Sequence, residues 1–494
     1  MEVSTEEVLK QRKIAEVCMC YTGDILDTKR DKYSLQYYID MAKEIEKMGA
    51  HILGIKDMSA LLKPYAAYKL VSALKSEIGI PIHLHTHDTT GNGVATVLMA
   101  AHAGVDIVDT AFNSMSGLTS QPALNSVVAA LENTERETGL KLDEIQKLSE
   151  YWSAVRPVYK KFESGLKTGS AEIYKFEIPG GQYSNLKPQI ESFGLGHRFD
   201  EIKDMYRKVN IMLGDIVKVT PSSKVVGDLA IFMVKNDLTP ENIYDKAANL
   251  TFPDSAVSYF KGMMGQPKDG FPDKLQKLIL KGEKPIQGRP GELLPPEDFD
   301  KINKYLTEKY KIKFSNKDII SYALYPEVFE DYLRFINQYG DLSNMGSDVF
   351  FHGLREGEIS EIKIAEGKVL IVKMLEIRKA DKYGNRIVVY EVNGNRREVS
   401  IKDNAANTKE SNSEEMVTMA DKENINEIGA SIPGKLVKLL VKEGDTVKTA
   451  QSLAVIEAMK METNITAPVC GIVKKIYSDE GKQVTSGELL IELE

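Results

Sequence analysis

Three histidines stand at alternate positions in Pro81-Ile82-His83-Leu84-His85-Thr86-His87-Asp88. Successive side chains of a strand point to opposite faces, so the three imidazoles share one face. Neutral imidazole is a good ligand for zinc or manganese, and two rings at i, i+2 can bind one ion. The same pattern also suits a structural cluster with hydrogen-bonded rings, and the residues alone leave both readings open. Lys56 ends the preceding apolar run, His51-Ile52-Leu53-Gly54-Ile55-Lys56-Asp57. A lysine desolvated beside a cation gives up its proton readily, and the neutral amine can add carbon dioxide to form a carbamate that ligates as a carboxylate does. From spacing alone, an ion pair of Lys56 with Asp57 or Asp88 is the simpler expectation. A further lysine, Lys460, stands between two methionines in Glu457-Ala458-Met459-Lys460-Met461-Glu462. A lysine on a protruding turn can be acylated by a modifying enzyme and then swing the attached group between distant sites. The plain alternative is a solvated turn lysine.

These groups need elements to position them. Around Lys460 the chain is a diverged duplication: IPGKLVKLLVKEGDTVKTAQSLAVIE is echoed by APVCGIVKKIYSDEGKQVTSGELLIELE. Pro433, Val437, Gly444, Val447 and Leu453 correspond to Pro468, Val473, Gly481, Val484 and Leu490. Two such β-rich halves predict a compact quasi-symmetric sandwich over residues 427–494, with Lys460 on a tight exposed hairpin between them. Around the histidines, strand candidates are Glu16 to Tyr21, His51 to Asp57, Ile80 to Asp88 and Ile107 to Thr110. The intervening segments have helical periodicity: Ser34 is placed to N-cap one helix, Pro64 opens a second, and a third runs from about Val94 to His102. Apolar runs buried on both faces and joined through amphipathic helices predict an α/β fold with a parallel sheet. The four βα units over residues 1–139 amount to half of an eight-stranded TIM barrel. In such a barrel the C-terminal ends of the strands surround the active site, which puts Lys56, His85 and His87 in one mouth.

The middle of the chain is read as a helical extension over residues 140–312 and a helix plus small β domain over 313–403. Turn signals lie at Tyr383-Gly384-Asn385 and Asn393-Gly394-Asn395. Residues 404–426 are polar and nearly without large aliphatics, which predicts a flexible tether. Composition is that of an ordinary water-soluble protein, 42% hydrophobic and 28% charged. No apolar run approaches the roughly 20 residues that a membrane helix needs. The start, MEVSTEEVLKQRK, lacks the apolar core of a secretory signal, and three cysteines in 494 residues suit a reducing compartment, so a cytoplasmic protein is expected. A net charge of -8, with lysines interleaved among acids, gives no support for nucleic-acid binding.

The segment around Lys460 resembles the biotinyl domain, whose AMKM sequence it reproduces; lipoyl domains share that fold but normally lack the paired methionines. From Cys20 to about Lys281 the chain resembles the carboxyltransferase domain of the pyruvate carboxylase family, with IKDMSALLKP, HLHTHDTTGNG, DTAFNSMSGLTSQP, PGGQYSNL and VTPSSKVVGD in order. The resemblance implies biotin on Lys460, attached by biotin protein ligase, and a divalent metal, manganese or zinc, on a carbamylated Lys56, His85 and His87. His83, one step deeper, is read as supporting or core. Thr220 matches the family's proton-relay threonine, and Gln182, Ser223 and Lys224 match positions that hold biotin. Taken by themselves, Thr220 and Ser223 are ordinary helix-cap candidates. The implied reaction moves a carboxyl group from biotin to pyruvate, giving oxaloacetate for the citric acid cycle and gluconeogenesis, with a biotin carboxylase domain or subunit as partner and a homotetramer as the assembly. The oxaloacetate decarboxylase alpha subunit and the transcarboxylase pyruvate subunit share the HxH site, but PGGQYSNL and VTPSSKVVGD look like the carboxylase versions.

The sequence also departs from the family. Strands expected before Cys20 are missing, and with them an aspartate ligand to the metal and the arginine and glutamine that bind pyruvate; the ATP-using domain is missing too. Three explanations are expected to compete: a truncated or frameshifted gene product, one half of a split enzyme, or a noncatalytic biotin-carrier or assembly protein. An incomplete barrel would have open strand edges that invite docking or aggregation.

Overall fold

The computed structural model describes residues 1–163, 165–247, 250–381, 384–403, 418–421, 424–458 and 461–494. Most of the tether read over 404–426, the Tyr383 turn position and Lys460 lie outside the described residues. The chain divides into two compact units, Met1–Pro290 with Val417–Glu494, and Gly291–Met416.

In the first unit, β1 (Glu16–Cys20), β2 (Ile52–Asp57), β3 (Ile82–Thr86) and β4 (Ile107–Val108) pair in parallel in the order β1-β2-β3-β4. The helices between them begin as their sequences dictate. Ser34 accepts a hydrogen bond from the Tyr37 amide at the start of Leu35–Lys47, and Pro64 takes the first position of Pro64–Glu77, where a missing N–H is harmless. Their apolar stripes, with Tyr38, Ala42, Ile45, Leu70, Val71 and Leu74, bury one face of the sheet at Leu53, Ile55 and Leu84. The expectation of strands buried on both faces is corrected here. β1 and β3 alternate, burying Val17, Met19, Ile82 and Leu84 while Glu16, Cys18, His83 and His85 stand on the opposite face. That second face is polar, so the period of two, rather than a continuous apolar run, governs these strands.

Residues beyond the sheet form helices that build their own core. The helix Gly180–Ser192 contributes Leu186 and Ile190; Phe199–Met212 adds Ile202, Tyr206 and Val209; Ser222–Lys235 adds Val225, Val226, Leu229, Ala230 and Met233.

Two four-stranded sheets make up the C-terminal body: β9 (Glu427–Gly429), β10 (Gly434–Leu439), β11 (Thr446–Val447), β12 (Ser452–Ala458), β13 (Met461–Thr466), β14 (Gly471–Ile476), β15 (Gln483–Val484) and β16 (Leu489–Leu493). The first sheet runs β13-β12-β10-β15 and the second β11-β14-β16-β9. Exchanging β10 with β14, β11 with β15, β12 with β16 and β13 with β9 converts one order into the other, so the sequence duplication is also a structural one. Gly444 and Gly481 both turn with φ of +92°, a conformation that favours glycine. One pairing read from the sequence is corrected. Leu436, not Val437, is the counterpart of Val473: both are buried, and each half has a register shift just after them. A Cβ added to Gly434 would press on the Glu457 carbonyl oxygen and come within 2.7 Å of Ile456 Cγ2. We expect Gly434→Ala to destabilise this body by about 1–3 kcal/mol, read as faster amide hydrogen exchange in β10 and β12.

In the second unit, helices Phe299–Tyr310, Asn316–Leu324 and Pro326–Tyr339 pack around Leu306, Phe329 and Leu333. An antiparallel meander follows, β5 (Ile359–Ala365), β6 (Lys368–Ile377), β7 (Asn385–Val392) and β8 (Asn395–Lys402). Asn393 and Gly394, at φ of 48° and 81°, link β7 to β8, as the Asn-Gly signal predicts.

Candidate active site

Parallel register brings the chemistry together at the C-terminal edge of β1–β4. Lys56 lies opposite Cys20 on one side and His85 on the other, while Asp57 lies opposite Thr86. Lys56 and Asp57 are adjacent in sequence and therefore face opposite ways. Asp57 turns into the core, fully buried, and accepts hydrogen bonds from the amides of Leu61 and Leu62 at 2.9 and 3.0 Å and from Thr86 Oγ1 at 2.8 Å. Burial still pushes its carboxyl above the usual range. Asp88 accepts from the Gly93 amide at 2.8 Å, at the start of a helix. Both carboxylates are thus committed to backbone, and among the described residues Lys56 forms no ion pair with either. This corrects the simpler reading of Lys56.

The two distal histidines are held by their Nδ1 atoms. His87 Nδ1 lies 2.7 Å from the Thr119 carbonyl oxygen, which can only accept, so this nitrogen carries the proton. His85 Nδ1 lies 2.7 Å from Asp109 Oδ2. Each bond leaves Nε2 as the atom with a free lone pair in the neutral ring. The ring centroids are 5.3 Å apart. Burial holds His87 below the ordinary imidazole range, which favours the neutral, ligating form. Imidazoles oriented through Nδ1 by a carboxylate or carbonyl are the usual donors of a bound divalent cation, so this pair fits such an ion. His83 differs: its Nδ1 lies 2.8 Å from Glu16 Oε1 and its Nε2 3.0 Å from Asp109 Oδ1. Burial lowers its pKa but the two carboxylates raise it further, leaving a net rise and an imidazole with both nitrogens engaged. Among the described residues no three His, Cys, Asp or Glu side chains converge on one point. Lys56 is the strand neighbour of His85 in the β2–β3 register.

The helix Gly180–Ser192 begins over this corner. The Gly180 amide donates to the Met58 carbonyl at 3.0 Å, and a Cβ on Gly180 would lie 3.4 Å from His87 Nδ1. Gln182, two residues on, lays its amide against Gly227 of the helix Ser222–Lys235, one turn beyond Ser223. Ser223 is buried, whereas Lys224 is half-exposed and reaches Asp228 Oδ2 at 2.5 Å. Thr220 is exposed at the end of the preceding loop. It does not cap the helix; Ser222 Oγ instead binds the loop, accepting from the Val219 amide at 3.1 Å and donating to the Val217 carbonyl at 2.6 Å. Lys218, 1% exposed, bonds Glu177 Oε2 at 2.9 Å, and Glu177 also pairs with Arg30, which in turn holds Asp215 at 2.7 Å. This network ties the Thr220 loop, the approach to Gly180 and the loop after β1 to one another. The structure thus brings Lys56, His85 and His87 to one edge and Gln182 to Gly227 of the helix that carries Ser223 and Lys224; among the described residues no hydrogen bond joins Thr220 to either group.

Lys460 is outside the described residues. β12 and β13 pair up to Ala458 opposite Met461, so Met459 and Lys460 are the two residues that connect them.

Family models match residues 8–151 ("HMGL-like"), 173–373 ("Conserved carboxylase domain") and 426–493 ("Biotin-requiring enzyme"). The carboxyl transferase domain of Rhizobium etli pyruvate carboxylase, solved with pyruvate and biocytin, is 46% identical with a TM-score of 0.78, over 82% of this chain and 68% of that one. The chain belongs to the pyruvate carboxylase family. The complete multifunctional pyruvate carboxylase of Rhizobium etli matches all of this chain over 45% of its own, at 42% identity and a TM-score of 0.77. Pyruvate carboxylase of Bacillus subtilis is 50% identical over 100% of this chain and 43% of its own length. The chain thus spans less than half the length of these whole-length relatives. Among the described residues no helix is long and apolar enough to cross a membrane.

In this pyruvate carboxylase family member the residue that sequence reasoning missed is Asp109, which contacts both His83 and His85. The register His83 with Ile107 and Leu84 with Val108 carries it opposite His85. The signal was an acidic residue just past a strand, one strand over from the histidines. The Glu177 network had no such signal, since Arg30, Glu177 and Lys218 are far apart in sequence and meet only through packing.

Proposed function

We propose that this chain supplies the carboxyltransferase and biotin-carrier part of a pyruvate carboxylase, inactive by itself, in which a carboxyl group passes from biotin carried on Lys460 to pyruvate, giving oxaloacetate. The observation that carries the reading is the pair of imidazoles at one sheet edge, each fixed at Nδ1 with Nε2 free, beside Lys56 and the Gly180 corner, in a chain that also contains a doubled β body. Lys56, as a carbamate, His85 and His87 hold a divalent ion, manganese or zinc. When bound, such an ion polarises a carbonyl oxygen and stabilises charge that develops on it. Asp109 and the Thr119 carbonyl aim the two rings, and His83 braces Asp109. Thr220 supplies a hydroxyl that both donates and accepts, and so passes a proton from the pyruvate methyl group to biotin N1 without carrying charge. Gln182, Ser223 and Lys224 form the biotin-holding group. The pyruvate carboxylase relatives favour this reading over an oxaloacetate decarboxylase subunit.

The same reading assigns residues 1–139 to the last four units of a TIM barrel, 140–312 to its helical extension, 313–403 to a helix and β domain that assembles tetramers, 404–426 to a tether and 427–494 to the biotinyl domain. Its partners are biotin protein ligase and a biotin carboxylase domain or subunit, in the cytoplasm. The test is co-expression with an active biotin ligase. Intact mass and peptide mapping are expected to find one biotin, on Lys460, and addition of a separately expressed N-terminal portion, carrying a biotin carboxylase domain and the first barrel strands, with ATP, bicarbonate and pyruvate, to yield oxaloacetate. An unmodified Lys460 refutes the reading.

Asp109→Asn is expected to weaken the metal about 10- to 100-fold, because the neutral amide aims His85 without raising its basicity. Metal titration of the purified chain measures this directly. An unchanged affinity would remove Asp109 from the site.

A further inference from the structure

The helix Ser222–Lys235 carries an ion pair set against its own dipole. Lys224 stands in the first turn and Asp228 one turn later, with Lys224 Nζ 2.5 Å from Asp228 Oδ2. The N-terminal end of a helix carries partial positive charge, so a cation there is unfavourable, and a pair with the lysine first is the weaker of the two orders. The partners also differ in environment. The Lys224 side chain is half-exposed, whereas Asp228 is 4% exposed and its Oδ1 has no hydrogen-bond partner among the described residues. From the helix Asp254–Lys261, Ser255 Oγ donates to Asp228 Oδ2 at 2.6 Å, so both donors meet on one oxygen.

This arrangement contributes little to stability. A buried carboxylate with one oxygen unpartnered loses hydration that no hydrogen bond returns, and an apolar side chain of its size would suit the helix better. What the carboxylate does is hold an amine. A free lysine side chain samples many rotamers, and a ligand that binds it must fix them. On Asp228 the amine of Lys224 is fixed beforehand. An ammonium has three donors, and the carboxylate takes one, which leaves two for the oxygen atoms of a ligand. Asp254 borders the same cavity and feels the charge of Lys224, but burial holds its carboxyl above the usual range. Among the described residues it forms no ion pair with Lys224.

We propose that Asp228, steadied by Ser255, is a positioning residue that holds the Lys224 amine in place for the oxygen atoms of biotin. The inference rests on reading Lys224 as one of the biotin-holding residues. It adds a residue that acts on biotin only through Lys224, and it gives a purpose to the one charge in the otherwise apolar stretch from Val225 to Val234.

The test uses the full chain with Lys460 unmodified and follows acylation of Lys224 by acetic anhydride through peptide mass mapping. An amine held on a carboxylate reacts slowly. Asp228→Asn, which keeps the shape and removes the charge, is expected to speed acylation of Lys224 about two- to fivefold, with a smaller change in the same direction for Ser255→Ala. Biotin amide is the probe ligand. The concentration of it that halves the acylation rate is expected to rise about three- to tenfold in Asp228→Asn. Amide hydrogen exchange in the helix Ser222–Lys235 is expected to be no faster than in wild type. Acylation of Lys224 at the wild-type rate in Asp228→Asn overturns the hold on the amine. Faster exchange along the helix with unchanged protection by biotin amide makes Asp228 a structural residue and overturns its role. An equal effect of Asp254→Asn overturns the assignment to Asp228. If biotin amide does not protect Lys224 in wild type, the biotin-holding reading of Lys224 fails, while the acylation rates still decide whether Asp228 holds its amine.

Discussion

Thr220→Ala is expected to slow carboxyl transfer by about 10²- to 10⁴-fold, the range for loss of a positioned proton-transfer group, while Thr220→Ser keeps most of the rate. Ser222 Oγ bridges Val217 and Val219, and buried Lys218 is fixed by Glu177, so both sides of Thr220 are anchored while its own side chain is exposed. A residue held this firmly yet free at its tip is placed to serve a ligand. On the proposed role, in which the hydroxyl acts in the proton transfer and not in holding pyruvate, kcat should fall with little change in KM. The measurement is steady-state oxaloacetate formation by the biotinylated chain mixed with an N-terminal portion that carries the biotin carboxylase domain and the first barrel strands. Equal rates for the serine and alanine variants would place the relay elsewhere.

How far these features were legible in the sequence depends on the range of the interactions that make them. The strands β1 to β4 and the helices capped by Ser34 and opened by Pro64 follow from local periodicity and local hydrogen bonds, and they fall within a few residues of their expected limits. The doubled β body was legible because duplication repeats both strands and turn glycines. The exception, Leu436 in place of Val437, came from matching residue type without allowing for the register shift in each half. The pairing of Lys56 with Asp57 failed for a reason the sequence already contained, since neighbours on a strand cannot face the same way. The union of Gln182 with the Ser222–Lys235 helix is not local. It arises where two helices pack, and no spacing in the chain encodes it. Asp109 lies between these cases, since strand order and register had to be known before its proximity to His85 could be read.

The same distinction governs the largest expected effect on stability. Glu177→Gln should destabilise the first unit by about 3–5 kcal/mol, because it leaves Lys218, 1% exposed, without its counter-charge. Burial pushes the Glu177 carboxyl up, but Lys218 and then Arg30 pull it further down, so its net position is below the ordinary value. A carboxyl depressed in the folded state contributes stability that is present above its unfolded value, about 4.3, and is lost as pH falls through the folded one. The gap between wild type and variant should therefore be complete at neutral pH and shrink only in acid below about pH 4. Amide hydrogen exchange in the helix Ser222–Lys235 measures it at each pH. Adding Lys218→Met to Glu177→Gln should recover most of the loss, since the variant then buries a thioether where it had buried an unpaired charge. If the single variant were as stable as wild type at neutral pH, the three loops would have to be held together by apolar packing alone, and the anchoring of Thr220 would no longer depend on a charge at Glu177. The network thus connects stability to chemistry through two residues of backbone, from Lys218 to Thr220, and the two effects should separate: Thr220→Ala loses rate without stability, and Glu177→Gln loses both.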